Sequence, residues 1–420
     1  MATPSGRGPT GPDDAGPAAA GRVAAVHRQT RRSLVLTVAF VAAAVVLALV
    51  DGPEGRWAAL HLFLLGALLT AISTATVYLS VTWSAAPAPP DSLIEAQRWI
   101  LATAALGVVA SRRLDAPAWT TVVTALVVVL ALAVLAAALL GVRRHARVDR
   151  FLPAIDGYLV ALAAGALGSL AGALLAGGVL DDLAGGRIGV GELHARVRGA
   201  HMTLNLFGMV GLVVASTLPY MSATQSRSKM SRRATSGAVW SVIVTLAAAT
   251  AVSVVGSLSG DDRLAAAGIA VYALALLAMV RLLPVPGRRQ LEWAGPRLLQ
   301  LASGVLWWVG CTAALAWIRA WGGVEEWRVV AALVIGGYGQ IVLASLAYLG
   351  PVVRGGGHVR LGQGFATTRS WVALAAGNVA AVAALTDRVP VLALALAVLA
   401  ADLVVRGAAL VSGARRAVPH

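Results

Sequence analysis

The chain has 420 residues, of which 58% are hydrophobic and only 13% charged, about half the roughly 25% charged share of an ordinary soluble domain. With a mean hydropathy of +0.79 there is too little polar surface to cover a core of this size, which excludes a soluble enzyme, a disordered chain and a fibrous repeat and leaves a polytopic membrane protein. The formal net charge is +15, yet the basic residues sit in short loops between apolar runs, so membrane orientation accounts for them, and no basic, aromatic-bearing soluble domain exists to bind nucleic acid.

In chain order, residues 1–32 are rich in Gly, Pro, Ala and Arg without apolar period, and read as a disordered cytoplasmic tail. Twelve apolar runs follow, near 33–50, 57–81, 97–111, 118–142, 155–180, 199–221, 237–258, 264–283, 299–319, 327–350, 370–386 and 389–410. Most reach the roughly 20 residues that cross the hydrocarbon, and the third is the shortest. The first lies too deep in the chain for an ordinary signal peptide. None alternates polar and apolar residues, so a barrel is excluded. The expected fold is an all-α, twelve-helix membrane bundle over 33–412, with a short cytoplasmic tail at 413–420. The single cysteine, Cys311, rules out an internal disulfide, a thiolate zinc site and an iron–sulfur cluster, and reads as a small packing residue. Lys229 is the only lysine among 34 basic residues. That bias, with abundant Ala, Val and Leu, points to a GC-rich bacterial genome.

An even number of spans puts both termini on one side. With that side cytoplasmic, 24 of the 34 basic residues face it, including Arg143, Arg144, Arg147 and Arg150 and then Arg227, Lys229, Arg232 and Arg233. The outer loops hold ten basic residues and 11 of the 19 acids, such as Asp181, Asp182, Asp261, Asp262, Glu325 and Glu326. This positive-inside bias places the chain in the inner membrane of the cell.

Spans 2, 6 and 10 look alike. Each ends on its inner side with a small residue and a tyrosine: Thr76-Val77-Tyr78, Thr217-Leu218-Pro219-Tyr220 and Ser345-Leu346-Ala347-Tyr348. The tyrosines are 142 and 128 residues apart, a step of four spans, as expected of three four-helix units. Interfacial enrichment of tyrosine is the plainer explanation.

Of seven histidines, His27, His145, His358 and His420 lie beside arginines in tails or loops and read as solvated. His194 falls in the outer loop before span 6. His61 and His201 alone lie inside spans, about 26 and 29 Å from their tyrosines at about 1.5 Å per residue, and so at matched depth near the outer interface. An intramembrane ionisable residue is costly and a functional candidate, and neutral imidazole binds haem iron or copper well. The alternative is an interfacial or packing role. Asn205, four residues after His201, shares its helix face. It either supports the imidazole or pins two helices. Gly66, Gly208 and Gly211 permit close approach of a helix or a flat macrocycle. Tyr338, Gln340 and Asn378 are further polar residues inside spans. Asp402 lies four residues before Arg406, as for an ion pair. Trp317, Trp321 and Trp327 read as an interfacial belt. There is no phosphate-binding glycine loop, nucleotide domain or zinc-protease helix.

The run His201-Met-Thr-Leu-Asn-Leu-Phe-Gly-Met-Val-Gly-Leu is similar to the H-x-x-L-N-x-x-G-x-x-G segment of membrane proteins distantly related to haem–copper oxidase subunit I, a group that includes NnrS-type haem- and copper-containing proteins. The run from Tyr338 to Pro351 resembles a helix end of the same group. The resemblance implies a twelve-span bundle of three four-helix units, a haem ligand in span 2, where His61 stands, and a copper ligand in span 6, where His201 stands. It also implies a His-His pair opening span 7, which this chain lacks, and a His-x-His in span 10, where Tyr338 and Gln340 stand. The expectation is therefore a degenerate relative that binds haem or copper through His61 or His201, with His194 as a further candidate metal ligand and Asn205 supporting His201, in an accessory or sensing role and without reducing oxygen. The implied partners are the lipid bilayer and another membrane subunit or redox protein. The alternatives are a transporter of a small or hydrophobic solute, with a polar site around Tyr338, Gln340 and Asn378, and a non-catalytic partner subunit with no cofactor.

Overall fold

Length and hydropathy leave the twelve apolar runs little choice but helix, since in a bilayer every backbone polar group must be satisfied within its own segment. The computed structural model describes residues 17–51, 56–183 and 189–413, and every regular element among them is helical. Twelve helices are long and apolar enough to cross a membrane: Ala24–Leu47, Trp57–Ser84, Asp91–Arg113, Ala118–Arg144, Asp149–Ala176, Val190–Ser226, Ser236–Ser259, Asp262–Leu282, Pro296–Trp321, Glu326–Arg354, Gly357–Leu385 and Val389–Ser412, spans 1 to 12. Each overlaps one expected run.

The differences have physical causes. The helix carrying span 1 begins at Pro17, within the segment read as a tail, and Val26, Gln29 and Thr30 are buried; residues 1–16 lie outside the described residues. Span 3 runs a full 23 residues from Asp91. Both extensions exist because their polar groups satisfy one another. Gln29 Nε2 donates to Asp91 Oδ1 at 2.5 Å and Arg28 pairs with Asp91 at 2.8 Å. Arg32 pairs with Glu95. The buried Arg98 donates to Ser33 Oγ at 3.0 Å and to Gln29 O at 3.2 Å. An apolar-run criterion is blind to such inter-helix pairs. Span 6 likewise starts at Val190, so His194 is helical and not in a loop. The tail at 414–420 lies outside the described residues.

Span 2 packs on spans 1, 3, 4 and 5; span 6 on spans 5, 7, 8, 9 and 10; span 10 on spans 9, 11, 1 and 6. Span 6 is the most enclosed, with 89% of its apolar window buried against 6% in span 12. Spans 2, 6 and 10 each carry a π-helical segment, Leu62–Leu68, Leu204–Gly211 and Leu333–Gly339. Each segment begins 15 or 16 residues before its span's tyrosine. A π turn widens the helix and turns carbonyls out of the regular ladder. In span 6 two of these find buried partners: Tyr338 Oη donates to Leu206 O at 2.8 Å, and Tyr272 Oη to Phe207 O at 3.0 Å. Spans 8 and 10 are thereby fastened to the central helix.

Small residues set the closest approaches, as in other membrane bundles. Along spans 5 and 6, Gly165, Gly168 and Gly172 face Met209, Asn205 and His201; a Cβ at these positions would lie 2.5, 2.6 and 2.9 Å from them. Span 11 is broken at Arg369–Ser370. The carbonyls freed there accept from Arg406 Nη1, Thr367 O at 2.9 Å and Arg369 O at 2.6 Å. The same guanidinium pairs with Asp402 at 2.9 Å, the i, i+4 pair expected from sequence, and Ser370 Oγ donates to Asp402 at 2.6 Å. Arg406→Met leaves a partly buried carboxylate with only the Ser370 hydroxyl as partner, and two carbonyls with none. We expect a loss of about 2 kcal/mol, discounted for partial exposure, visible as a lower thermal midpoint in detergent; an unchanged midpoint would show the cluster to be idle.

Candidate functional site

His61 closes the first turn and a half of the helix opening span 2. Its Nδ1 lies 2.9 Å from Trp57 O, and its ring stacks on the Trp57 indole with centroids 4.0 Å apart and planes at 24°. A carbonyl only accepts, so Nδ1 carries the proton and Nε2 keeps its lone pair. A histidine four residues after a tryptophan on one helix face was visible in the sequence as a stacking signal.

His201 lies three residues before the π segment of span 6. Its Nδ1 approaches Gly168 O of span 5 at 2.7 Å. The same argument puts the proton on Nδ1 and the lone pair on Nε2. This bond crosses between helices, whereas His61, His145 and His194 each meet the carbonyl four residues earlier on their own helix. Glycine at 168 and 172 gives the imidazole room against the span 5 backbone. Metal-binding histidines share this arrangement, in which one nitrogen donates to a fixed acceptor and the other is free to ligate.

Both imidazoles are partly buried, and they lie close enough for the charge of His201 to act on His61. Both of their helices pack against span 5. Asn205 is placed beside His201. Its Nδ2 donates to His201 O at 2.8 Å and lies 3.4 Å from His201 Nδ1. Because that nitrogen already donates to Gly168 O, the ring contact brings two donors together and is not a hydrogen bond. Asn205 bonds back to its own helix and packs on Gly168. His194 stands two turns before His201, at the half-exposed rim, with Nε2 4.0 Å from Asp181. It is not brought to the pair. Among the described residues no group of three His, Cys, Asp or Glu side chains is arranged to hold a metal ion. The donor set at hand is two neutral imidazoles. That suits a soft or borderline ion of low coordination number, or axial ligation of a haem iron, and not a hard cation that wants oxygen.

A second polar cluster lies between spans 9, 10 and 11. Ser303 Oγ and Trp307 Nε1 both donate to Asn378 Oδ1, at 2.7 and 2.9 Å, and Gln340 Nε2 reaches Ser303 Oγ at 3.3 Å. Gln340 is fully buried and its Oε1 is unpartnered. Gln340 and Asn378 were legible as polar residues in apolar runs; Ser303, which joins them, was not, since serine is common in spans. Tyr338 belongs elsewhere, at the span 6 carbonyl of Leu206, against the Trp308 ring, which also meets Tyr272. Trp317, Trp321 and Trp327 are exposed, as an interfacial belt requires. The comparisons with known proteins are silent: the chain matches no family model, no curated protein and no solved structure.

Proposed function

We propose that this integral membrane protein holds a copper ion or haem iron between its central spans 2 and 6, through Nε2 of His61 and of His201. The single observation that carries the reading is that two partly buried imidazoles, near enough for the charge of one to act on the other, each have Nδ1 committed to a backbone carbonyl, leaving both Nε2 lone pairs free. A bound iron or copper would supply gas binding or one-electron chemistry. The chain's own contribution is to orient the two rings, to keep them neutral in an apolar setting and to exclude water. The resemblance of the His201 run to oxidase-related proteins supports a metal at these spans, and the recurrence of π segments in spans 2, 6 and 10 supports a three-unit, oxidase-like plan. The absence of further histidines in spans 7 and 10 favours an accessory or sensing role over oxygen reduction.

The test is an optical spectrum with metal analysis of the detergent-purified protein from cells supplied with haem and copper. A Soret band, or near-stoichiometric copper, is expected in the wild type and is expected to be lost in His61→Ala and in His201→Ala, while both variants stay monodisperse. A colourless, metal-free wild type sinks the proposal. His194→Ala should leave the signal unchanged.

One observation favours a second reading, a solute transporter: the chain Gln340–Ser303–Asn378, with a buried, unpartnered carboxamide oxygen, its Asn378 on the same span as the break at Arg369–Ser370 and about two helical turns from it, since transporters bind at interrupted helices. Under it, Gln340→Leu abolishes uptake into vesicles and His61→Ala does not.

A further inference from the structure

At the arginine-rich end of the bundle, where spans 2, 5 and 6 meet, lies a cavity of about 540 Å³. Its lining includes Arg150, Arg227 and Lys229 and contains no acid. Among the described residues none of the three is paired with a carboxylate: Asp156 pairs with Arg143 and Glu292 with Arg288, and Asp149, next to Arg150 in the chain, is exposed and does not line the cavity. One wall is aromatic. Trp83, Phe151 and Tyr220 pack mutually with centroids 5.2 to 5.7 Å apart.

The charge behind the cavity adds to this. Arg227 lies over the Trp293 ring at 4.0 Å, and Arg297 over the same ring at 4.9 Å. Arg297 is 1% exposed. Its one hydrogen bond is to Gln225 O at 3.2 Å; its Nε and Nη1, and both amide atoms of Gln225, are buried without partners. The ionisable groups that act on it are Arg369, Tyr348 and Arg227, with no carboxylate among them. Membrane orientation explains exposed arginines in loops. It does not explain a buried guanidinium set behind other cations, because an unpaired buried charge is costly. Several cations converging on a roomy, acid-free cavity constitute an oxyanion site.

We propose that this cavity binds a phosphate ester, with Arg150, Arg227 and Lys229 on the phosphate and the Trp83–Phe151–Tyr220 wall against the esterified group. A phosphate's negative charge and three acceptor oxygens match three separate cations. The volume exceeds that of a bare phosphate and falls in the roughly 300–1,000 Å³ range of ligand pockets. The phosphate is carried either by an anionic phospholipid headgroup or by a soluble ester; the chemistry is shared.

The experiment titrates the full chain, purified in uncharged detergent at fixed ionic strength, and follows its thermal midpoint. One arm adds short-chain phosphatidylglycerol against phosphatidylcholine, the other inorganic phosphate against chloride. The variant is Arg227→Asn with Lys229→Gln. Residue 227 has φ of +51°, a region asparagine tolerates, so this change removes charge and keeps the backbone. A saturable rise with phosphatidylglycerol alone, weakened at least about tenfold in the variant, supports the site with a lipid headgroup as source. A saturable rise with inorganic phosphate, weakened likewise, supports it with a soluble source. If the variant does not fold, Arg150→Gln with Lys229→Gln, both exposed, replaces it. No saturable rise in either arm, or equal affinity in wild type and variant, overturns the proposal.

Discussion

Gly268→Val is expected to disrupt the bundle by forcing spans 7 and 8 apart. A Cβ at 268 would stand 2.5 Å from the backbone nitrogen of Ser253 and 2.8 Å from Ala249 O; one at Gly256 would stand 2.3 Å from the nitrogen of Ala265. These are backbone atoms inside regular helices, so no rotamer change relieves the overlap. The two helices are joined by a tight turn at Gly260–Asp261, where Asp261 caps the second by accepting from Leu264 N at 3.0 Å, and they cannot drift apart independently. Overpacking of this kind costs about 3 kcal/mol or more, a large part of a marginal stability. The readout is the monodisperse fraction and thermal midpoint in detergent. Gly310→Ala is the control. Nothing lies within 4 Å of its Cβ position, so it should be neutral or stabilise by about 0.5 kcal/mol through helix propensity. Equal effects at 268 and 310 would show that the close approach is unimportant.

The second large effect is expected at the span 6 π segment. In Gly211→Ala the new methyl would lie 2.2 Å from Tyr272 Oη and 3.1 Å from Tyr338 Oη, the two hydroxyls that bond Phe207 O and Leu206 O. A tyrosine tip moves in principle, but both tips are buried and committed. Displacing them leaves buried carbonyls and hydroxyls unpaired, at about 1–3 kcal/mol each. A loss of about 3 kcal/mol follows. Tyr338→Phe alone, which removes one hydroxyl and keeps the ring, should cost about 1–2 kcal/mol. The pair Gly211→Ala with Tyr272→Phe should recover part of the Gly211→Ala loss, since the clashing atom is gone. Additive losses in that double variant would refute the steric account.

The functional variants are separable from these. His61 and His201 sit in positions where alanine removes a ring without creating overlap, so loss of a bound metal with retained folding is a clean outcome. The basic cavity lies at the other end of span 6 from His201, and charge removal there should leave any optical signal intact.

The number of spans and their order were determined by sequence, because crossing a bilayer demands a long apolar run and run length is a local property. The pair Asp402–Arg406 was legible for the same reason: helix spacing places i and i+4 together whatever else surrounds them. Local spacing could not show which way a helix turns its polar residues. Span 3 reads short because Asp91, Glu95 and Arg98 count against it until Arg28, Gln29, Arg32 and Ser33 are set beside them. Arg297 reads as one more loop arginine until burial removes it from water. His61 and His201 were each visible; that the charge of one reaches the other, and that Nδ1 of His201 is tied across to Gly168, was decided by the rotation and spacing of spans 2, 5 and 6. Those rotations are set by where small residues make room, for the side chains of Met209, Asn205 and His201 at Gly165, Gly168 and Gly172 and for a facing backbone at Gly256 and Gly268, and that is a property of pairs of helices, not of any one run of sequence.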